Sequence, residues 1–164
     1  TDNQAALPAL ESYRFNTPIA DIENADLIIL VGANPKIEAP IINHKIFKSY
    51  NSGAEIFNIG ENIILNYPTN YLGNKLVELN NTNLIKKLKR SSNPILIIGS
   101  AFLNQIKSSH TIKSIFSFAK KNKILSVNKN NLNFLNPYAS RVGQLLLGNT
   151  TTEFCNPFNI FRYI

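Results

Sequence analysis

A glycine-containing tetrapeptide, Gly32-Ala33-Asn34-Pro35, is the segment whose residue types best suit a binding loop. It follows a short apolar run at 27–31 and precedes a segment with helical spacing. Such a strand-to-helix turn lies at the carboxyl edge of a parallel sheet, where nucleotides and other phosphorylated ligands bind. The sequence has neither G-x-G-x-x-G nor G-x-x-x-x-G-K-[ST], and Asn-Pro is an ordinary way to begin a turn. The tetrapeptide is therefore interpreted either as a structural turn or as a ligand-binding loop.

Side chains that could act as a base or a nucleophile are scattered along the chain. His44 falls within a predicted helix and His110 near the start of another, so surface or capping roles are favoured over catalysis. Ser100 follows a glycine at a predicted strand end, but a nucleophile elbow requires G-x-S-x-G and the sequence here is Gly-Ser-Ala. The sequence therefore predicts no catalytic residues.

Acidic and thiol side chains offer no clear metal site either. Asp21, Glu23 and Asp26 cluster before the first predicted strand, and they could bind a cation or mark a solvated helix end. The single cysteine, Cys155, excludes an intramolecular disulfide and any site that needs several cysteines. We therefore expect no metal ion or cluster on this chain.

The elements that would position these residues alternate between strand and helix. Short apolar runs at 27–31, 55–59 and 95–98 each end at a glycine, and a weaker run at 124–127 predicts a fourth strand. Continuous apolar runs are typical of strands buried on both faces. This alternation predicts an α/β, Rossmann-like, mostly parallel sheet flanked by helices. The predicted helices are 38–50, 82–90 and 109–121, and a last helix that Asn136 caps and Gly148 ends.

The remaining segments are expected to be irregular. Asparagine-rich stretches at 66–74 and 128–136 are predicted to be loops. Residues 1–148 are assigned to one partial α/β domain, and residues 149–164 to an irregular tail that contacts a partner. Because no strand is predicted after residue 148, the sheet is expected to be incomplete within this chain, with an open edge that another polypeptide covers.

Charge is unevenly distributed along the 164 residues. Residues 1–78 carry five basic and nine acidic side chains, whereas residues 79–164 carry twelve basic and one acidic. A basic half can bind nucleic acid or an acidic protein, but the abundance of Asn, Ile and Lys also indicates an AT-rich genome that favours lysine codons. No apolar run reaches about 18 residues, so no membrane insertion is predicted.

One stretch of sequence carries a family resemblance. Ala25-Asp26 precede the run at 27–31, which continues into Gly32-Ala33-Asn34-Pro35 and then Glu38-Ala39-Pro40. This order of residues resembles the carboxyl-terminal, molybdopterin-oxidoreductase-like region of the large iron–sulfur subunits of respiratory complex I (NADH:ubiquinone oxidoreductase). The likeness covers roughly residues 12 to 148.

The resemblance implies a structural role in the peripheral arm of complex I, on the matrix side of the mitochondrial inner membrane. Gly32, Asn34 and Pro35 would form a vestigial loop, because loops of this type line the pterin site in active molybdopterin enzymes. The resemblance implies no cofactor in this chain. Iron–sulfur clusters are expected on the partner that carries the amino-terminal part of the subunit. Two alternatives remain open at this point, a small nucleotide-binding α/β module and a basic nucleic-acid-binding protein.

Overall fold

A computed structural model of the chain describes residues 14–103, 109–126, 129–136 and 142–143. In this part of the chain five strands form one parallel sheet, and two short strands form an antiparallel ribbon. The sheet strands are Leu27–Val31 (β1), Glu55–Ile59 (β2), Asn70–Gly73 (β3), Pro94–Ile98 (β4) and Leu132–Phe134 (β7); the ribbon consists of Leu125–Ser126 (β5) and Lys129–Asn130 (β6).

Helices connect most of the strands. The α-helices are Pro35–Glu38 (α1), Pro40–Asn51 (α2), Thr82–Arg90 (α3), Ser100–Leu103 (α4) and Ser109–Lys121 (α5), and 3-10 helices span Ile19–Asn24 and Leu76–Asn80. Proline occupies the first position of both α1 and α2, where its missing N–H would have no partner within the helix. The helices predicted at 38–50, 82–90 and 109–121 therefore correspond to α2, α3 and α5.

The order of the strands is β3-β2-β1-β4-β7, so the sheet grows in opposite directions on the two sides of β1. Every residue of β1 and β4 is buried, which confirms that their apolar runs form central strands covered on both faces. The predicted α/β fold with a mostly parallel sheet is confirmed. In sheets of this kind, ligands bind at the carboxyl ends of the strands where the order reverses, here between β1 and β4.

The two faces of the sheet have separate hydrophobic cores. On one face, Leu84 and Leu88 of α3 and Ile115 of α5 pack against strand side chains that include Ile29 and Leu96. On the other, α2 and the 3-10 helix at Ile19–Asn24 cover the alternate residues of the same strands. The structure is thus a three-layer arrangement of helix, sheet and helix.

Three predictions about strands were wrong. The stretches 66–74 and 128–136, predicted to be loops, contain β3 and β7, and the run at 124–127 supplies the ribbon strand β5 instead of a sheet strand. β7 pairs with β4 and adds a fifth strand to the sheet, in a position where no strand was predicted.

The outer edge of β7 is covered by residues 14–17, the segment that precedes the first 3-10 helix. The N–H of Phe134 donates to the carbonyl of Arg14, and the Asn16 side-chain amide donates to the carbonyl of Leu132 at 2.7 Å. These bonds satisfy backbone groups that an edge strand would otherwise leave unpaired.

Several predictions fall outside the described residues. They include the irregular tail at 149–164 with Cys155, the side chain of His110, and most of the last predicted helix. Between Asn136 and Gly148 only residues 142 and 143 are described, and both are helical. Within the described part of the chain, no helix is both long and apolar enough to cross a membrane.

Candidate functional site

At the carboxyl edge of the central strands, the backbone of the loop after β1 lies in close contact with the backbone of the loop after β4. A Cβ placed on Gly99, after β4, would lie 2.2 Å from the Cα of Ala33 in the loop after β1. Gly32 has φ +54°, a left-handed conformation that favours glycine, and a Cβ there would lie 2.6 Å from the Cβ of Phe102. A side chain at either position would force the two loops apart, so these glycines keep the loops in direct contact.

Backbone hydrogen bonds join the same loops to the sheet. The N–H of Gly32 donates to the carbonyl of Ile59 at 2.8 Å, and the N–H of Gly99 donates to the carbonyl of Val31 at 2.9 Å. Each bond extends a parallel ladder by one residue beyond the end of the strand. These two amides are therefore used within the fold and do not face a ligand.

The next donors along both loops are bound by one carboxylate. Glu38, at the end of α1, accepts a hydrogen bond at Oε1 from the N–H of Asn34 at 2.6 Å. Its Oε2 accepts from the N–H of Ser100, at the start of α4, at 2.9 Å. A carboxylate with two amide donors is in the position that a ligand phosphate takes at helix starts of this kind. The chain thus supplies its own anion where the strand order reverses.

Asn34 and Pro35 shape the loop. Pro35 is buried at the first position of α1, and Asn34 precedes it without a side-chain cap bond. Asn34 Oδ1 is buried and accepts no hydrogen bond from any residue that the structure describes. An unpaired oxygen of this kind costs roughly 1–3 kcal/mol of stability. Gly32, Asn34 and Pro35 therefore lie around a turn held by Glu38.

A cleft of about 420 Å³ opens beside this turn, at the ends of β1 and β2. Glu61 and Asn74 supply polar side chains to it, and Leu76 and Phe102 supply apolar ones. None of the described residues that line it is basic. A pterin dinucleotide carries a diphosphate, which requires free amides or cations. The amides of Asn34 and Ser100 are already bound to Glu38, and the cleft lining carries the carboxylate of Glu61 and no described cation, so the described residues do not fit that group.

The three clustered acidic residues have separate roles. Glu23 pairs with Lys45 at 2.5 Å and with Lys48 at 3.3 Å, and these hydrogen bonds lower the pKa of the Glu23 carboxyl. Burial raises the pKa of Asp26, but hydrogen bonds from Ser91 and the loop after α3 outweigh it, so the pKa lies below its usual value. Asp21 is exposed. In the described part of the chain, no group of three His, Cys, Asp or Glu side chains could hold a metal ion.

The side chains of the remaining candidates, His44 and Ser100, form no catalytic arrangement with the strand-end turn in the described part of the chain. His44 is exposed on α2, and Ser100 contributes its backbone N–H to Glu38. Reasoning from residue types missed the role of Glu38, although the residue was part of the resemblance. The available signal was a carboxylate four residues after an asparagine at a predicted helix start, which places it one turn along the same helix face.

Comparison with known proteins extends these observations. The molybdopterin oxidoreductase family model matches residues 3–160. The chain is 36% identical over 148 residues to the NADH-ubiquinone oxidoreductase 75 kDa subunit of Reclinomonas americana, covering 87% of this chain and 21% of that protein. It is 34% identical over 148 residues to the mitochondrial NADH-ubiquinone oxidoreductase 78 kDa subunit of Candida albicans, covering 87% and 21%. It is 32% identical over 145 residues to the mitochondrial NADH-ubiquinone oxidoreductase 78 kDa subunit of Neurospora crassa, covering 85% and 20%. The chain therefore spans about a fifth of the length of these relatives.

Proposed function

Because the chain belongs to the molybdopterin oxidoreductase family, we propose that it is a structural part of the peripheral arm of respiratory complex I. In this role it supports electron transfer from NADH to ubiquinone without holding a redox centre itself. Homology to the 75 kDa and 78 kDa subunits over 87% of the chain supports membership of that complex. The fold then serves as a rigid body that neighbouring subunits pack against.

The observation that carries the structural role is the position of Glu38. Its carboxylate accepts from the N–H groups of Asn34 and Ser100, two backbone donors at the sheet edge where ligands of α/β proteins bind. A cofactor would have to displace a charged side chain that is fixed on the adjacent helix. The bridge instead joins the β1 and β4 loops into one unit, which suits a supporting part better than a ligand-binding one.

Partners and location follow from the same proposal. The neighbours are other peripheral-arm subunits, foremost the cluster-bearing amino-terminal part of the same subunit, which holds the iron–sulfur clusters. The location is the matrix side of the mitochondrial inner membrane, and the names of the Candida albicans and Neurospora crassa relatives include the word mitochondrial.

Native isolation tests complex membership. The tagged chain is purified from the cells that express it under non-denaturing conditions, and particle size, NADH-oxidising activity and co-purifying polypeptides are measured. We expect a large NADH-oxidising particle from the mitochondrial fraction, together with a cluster-binding sequence identified by mass spectrometry. Recovery of the chain as a lone monomer without that activity would refute the proposal.

Cofactor content is tested on the same preparation. The chain is separated from its partners under mild conditions, and its molybdenum, iron and pterin are measured by elemental analysis and by pterin fluorescence after oxidation. We expect none of the three in stoichiometric amount. Stoichiometric pterin bound to the chain would instead support a ligand-binding module, and would require Glu38 to leave its two amides.

A further inference from the structure

A second concave surface lies away from the strand-end turn, between α3 and α5. This basic groove has a volume of about 410 Å³ and an apolar floor of Ile85, Leu88 and Phe118. Leu88 is buried in the core, whereas Ile85 and Phe118 are partly exposed beside it. Apolar side chains in a concavity of this size are typical of surfaces that receive a bulky apolar group.

The rim of the basic groove is positively charged. Lys89 of α3, Lys121 of α5 and Lys123 after α5 line it, and all three are exposed. None of the described residues that line the groove is acidic. Three cations around one concavity repel one another unless an anion lies between them.

Two acidic side chains that contact α3 or the loop after it have partners other than the rim lysines. Glu55 forms an ion pair with Lys87 on α3. Asp26 accepts a hydrogen bond from the hydroxyl of Ser91, which lines the groove, and it also accepts from the N–H groups of Ser92 and Asn93. Neither carboxylate is directed at the lysines of the rim by these contacts. Among the described residues, no ion pair involves Lys89, Lys121 or Lys123.

Helix ends account for only part of this charge. Lysines in the last turns of α3 and α5 interact favourably with the negative ends of those helices. Lys123 lies beyond α5 and has φ +59°, so its position is set by the turn after the helix. The helix dipole also gives no reason for an apolar floor between the same lysines.

The concave surface continues along α5. A second hollow of about 240 Å³ shares Asn80 and Phe118 with the basic groove and extends to Val77, which is 72% exposed. The combined surface is therefore apolar at one end and basic at the other. An extended or helical segment would match this surface if its acidic side chains faced the basic end and its apolar side chains faced the apolar end.

We propose that the basic groove binds an acidic segment of a partner protein that inserts a bulky apolar side chain between α3 and α5. Complementary charge would orient the segment and speed its association, while the apolar contact would slow its release. A nucleic acid fits less well, because Phe118 is half-buried in the floor and offers no open face for stacking bases. The proposal goes beyond membership of complex I and does not depend on it.

Fluorescence anisotropy with synthetic peptides and the full chain tests the proposal. The probe is a fluorescein-labelled peptide with a Leu-Phe pair flanked on both sides by Asp and Glu. Its counterpart carries Ser-Ser in place of Leu-Phe, and a single-stranded oligonucleotide of equal charge serves as the nucleic-acid arm. We expect the Leu-Phe peptide to bind at least about tenfold more tightly than either alternative, with affinity that falls as salt rises.

A pair of double variants with the same net charge locates the binding surface. Lys89→Glu with Lys121→Glu reverses two rim charges, whereas Lys75→Glu with Lys113→Glu reverses two exposed charges that do not line the groove. We expect the rim variant to lose about tenfold in affinity and the control variant to change by less than about twofold. Circular dichroism verifies that both variants fold.

Four outcomes would overturn the proposal. They are absence of peptide binding, equal binding of the Ser-Ser peptide, tighter binding of the oligonucleotide, and equal losses in the two double variants. Equal binding of the Ser-Ser peptide would show that the apolar floor has no role. Equal losses would show that net charge acts without a defined site. None of these results bears on whether the chain purifies with an NADH-oxidising particle, so the two proposals fail separately.

Discussion

The carboxylate of Glu38 accepts a hydrogen bond from the backbone N–H of Ser100 at 2.9 Å, which joins the loops that follow β1 and β4. The two residues are 62 positions apart in the sequence. The same side chain binds the N–H of Asn34 at 2.6 Å through its other oxygen. In a sheet whose strand order reverses between β1 and β4, this bridge closes the usual ligand crevice with a group of the protein itself.

Removing the bridge is expected to destabilise the fold. Glu38→Ala leaves the amides of Asn34 and Ser100 without their charged acceptor, and we expect a loss of about 2 kcal/mol in the free energy of unfolding. Glu38→Gln keeps one acceptor oxygen but points an NH₂ at the second amide, so it should recover at most half of that loss. Chemical denaturation measures both values.

Glu61→Ala is the matched control for Glu38. Glu61 is exposed at the same edge of the sheet, and its substitution should change stability by less than about 0.5 kcal/mol. Equal stabilities for Glu38→Ala and Glu61→Ala would show that the bridge contributes nothing to the fold.

A second prediction follows from the close packing of the loops after β1 and β4. In Gly99→Ala the new methyl group would meet the backbone of Ala33 at 2.2 Å, so the loops must separate, and we expect a loss of about 3 kcal/mol. Gly53→Ala is the comparison, because Gly53 has φ +101° but no atom within 4 Å of the added Cβ. It should lose only about 1 kcal/mol through backbone strain. If Gly99→Ala is the milder of the two in thermal or chemical unfolding, the contact is not tight.

Strands whose residues are uniformly apolar were predictable from the sequence. Leu27–Val31 and Pro94–Ile98 lie at the centre of the sheet, where both faces are covered and burial alone determines which residues are suitable. The helices beside them were predictable for the same reason, because their apolar stripes face the sheet. Burial against two helical layers therefore leaves a pattern that a single sequence reveals.

Strands that depend on buried polar side chains were not predictable. Asn131 and Asn133 are 4% and 0% exposed, next to and within β7, although asparagine is rare in strands and abundant in this sequence. Asparagine is abundant throughout this sequence, as an AT-rich genome would make it. The few asparagines with a structural role therefore cannot be distinguished from the others by sequence alone. Glu38 was hidden likewise, because its partner Ser100 is brought near only by the parallel pairing of β1 and β4.

Stability should depend on pH through Asp26. Burial opposes ionisation of this carboxyl, but its hydrogen bonds from Ser91, Ser92 and Asn93 favour the ionised form more strongly, so its pKa is lower in the folded protein. The resulting stabilisation is fully present above the unfolded pKa of about 3.9 and is lost as pH falls through the folded pKa. It should be present at pH about 7 and fade below pH about 4.

Asp26→Asn isolates this contribution. We expect the variant to be less stable than the unsubstituted chain by about 1 kcal/mol at neutral pH. This is a low value for a charged hydrogen bond, because Asp26 is only partly buried and solvent screens its charge. The difference should shrink in acid, when Asp26 itself is protonated. Asp21→Asn, an exposed control in the same segment, should change the free energy of unfolding by less than about 0.5 kcal/mol at neutral pH. A difference between Asp26→Asn and the unsubstituted chain that is constant from neutral to acidic pH would contradict the assignment.

The covered edge of β7 depends on Asn133. Its Oδ1 accepts from the N–H groups of Asn16 and Thr17, both at 2.8 Å, and its Nδ2 donates to the hydroxyl of Thr17 at 2.9 Å. These bonds fix residues 14–17 along the strand, where the N–H of Phe134 donates to the carbonyl of Arg14. One buried side chain thus substitutes for part of the ladder that a further strand would provide.

Asn133→Ala should release that segment and expose the edge. It leaves two amides without an acceptor in a site that is 0% exposed, so we expect a loss of about 3 kcal/mol, whereas Asn70→Ala on exposed β3 should cost little. Hydrogen exchange locates the effect. The amide of Phe134 should lose at least about tenfold more protection than that of Leu135, which bonds inward to Ile98 and reports the stability of the whole fold. Equal losses at both amides would mean that residues 14–17 stay in place without Asn133, and that other contacts hold this edge closed.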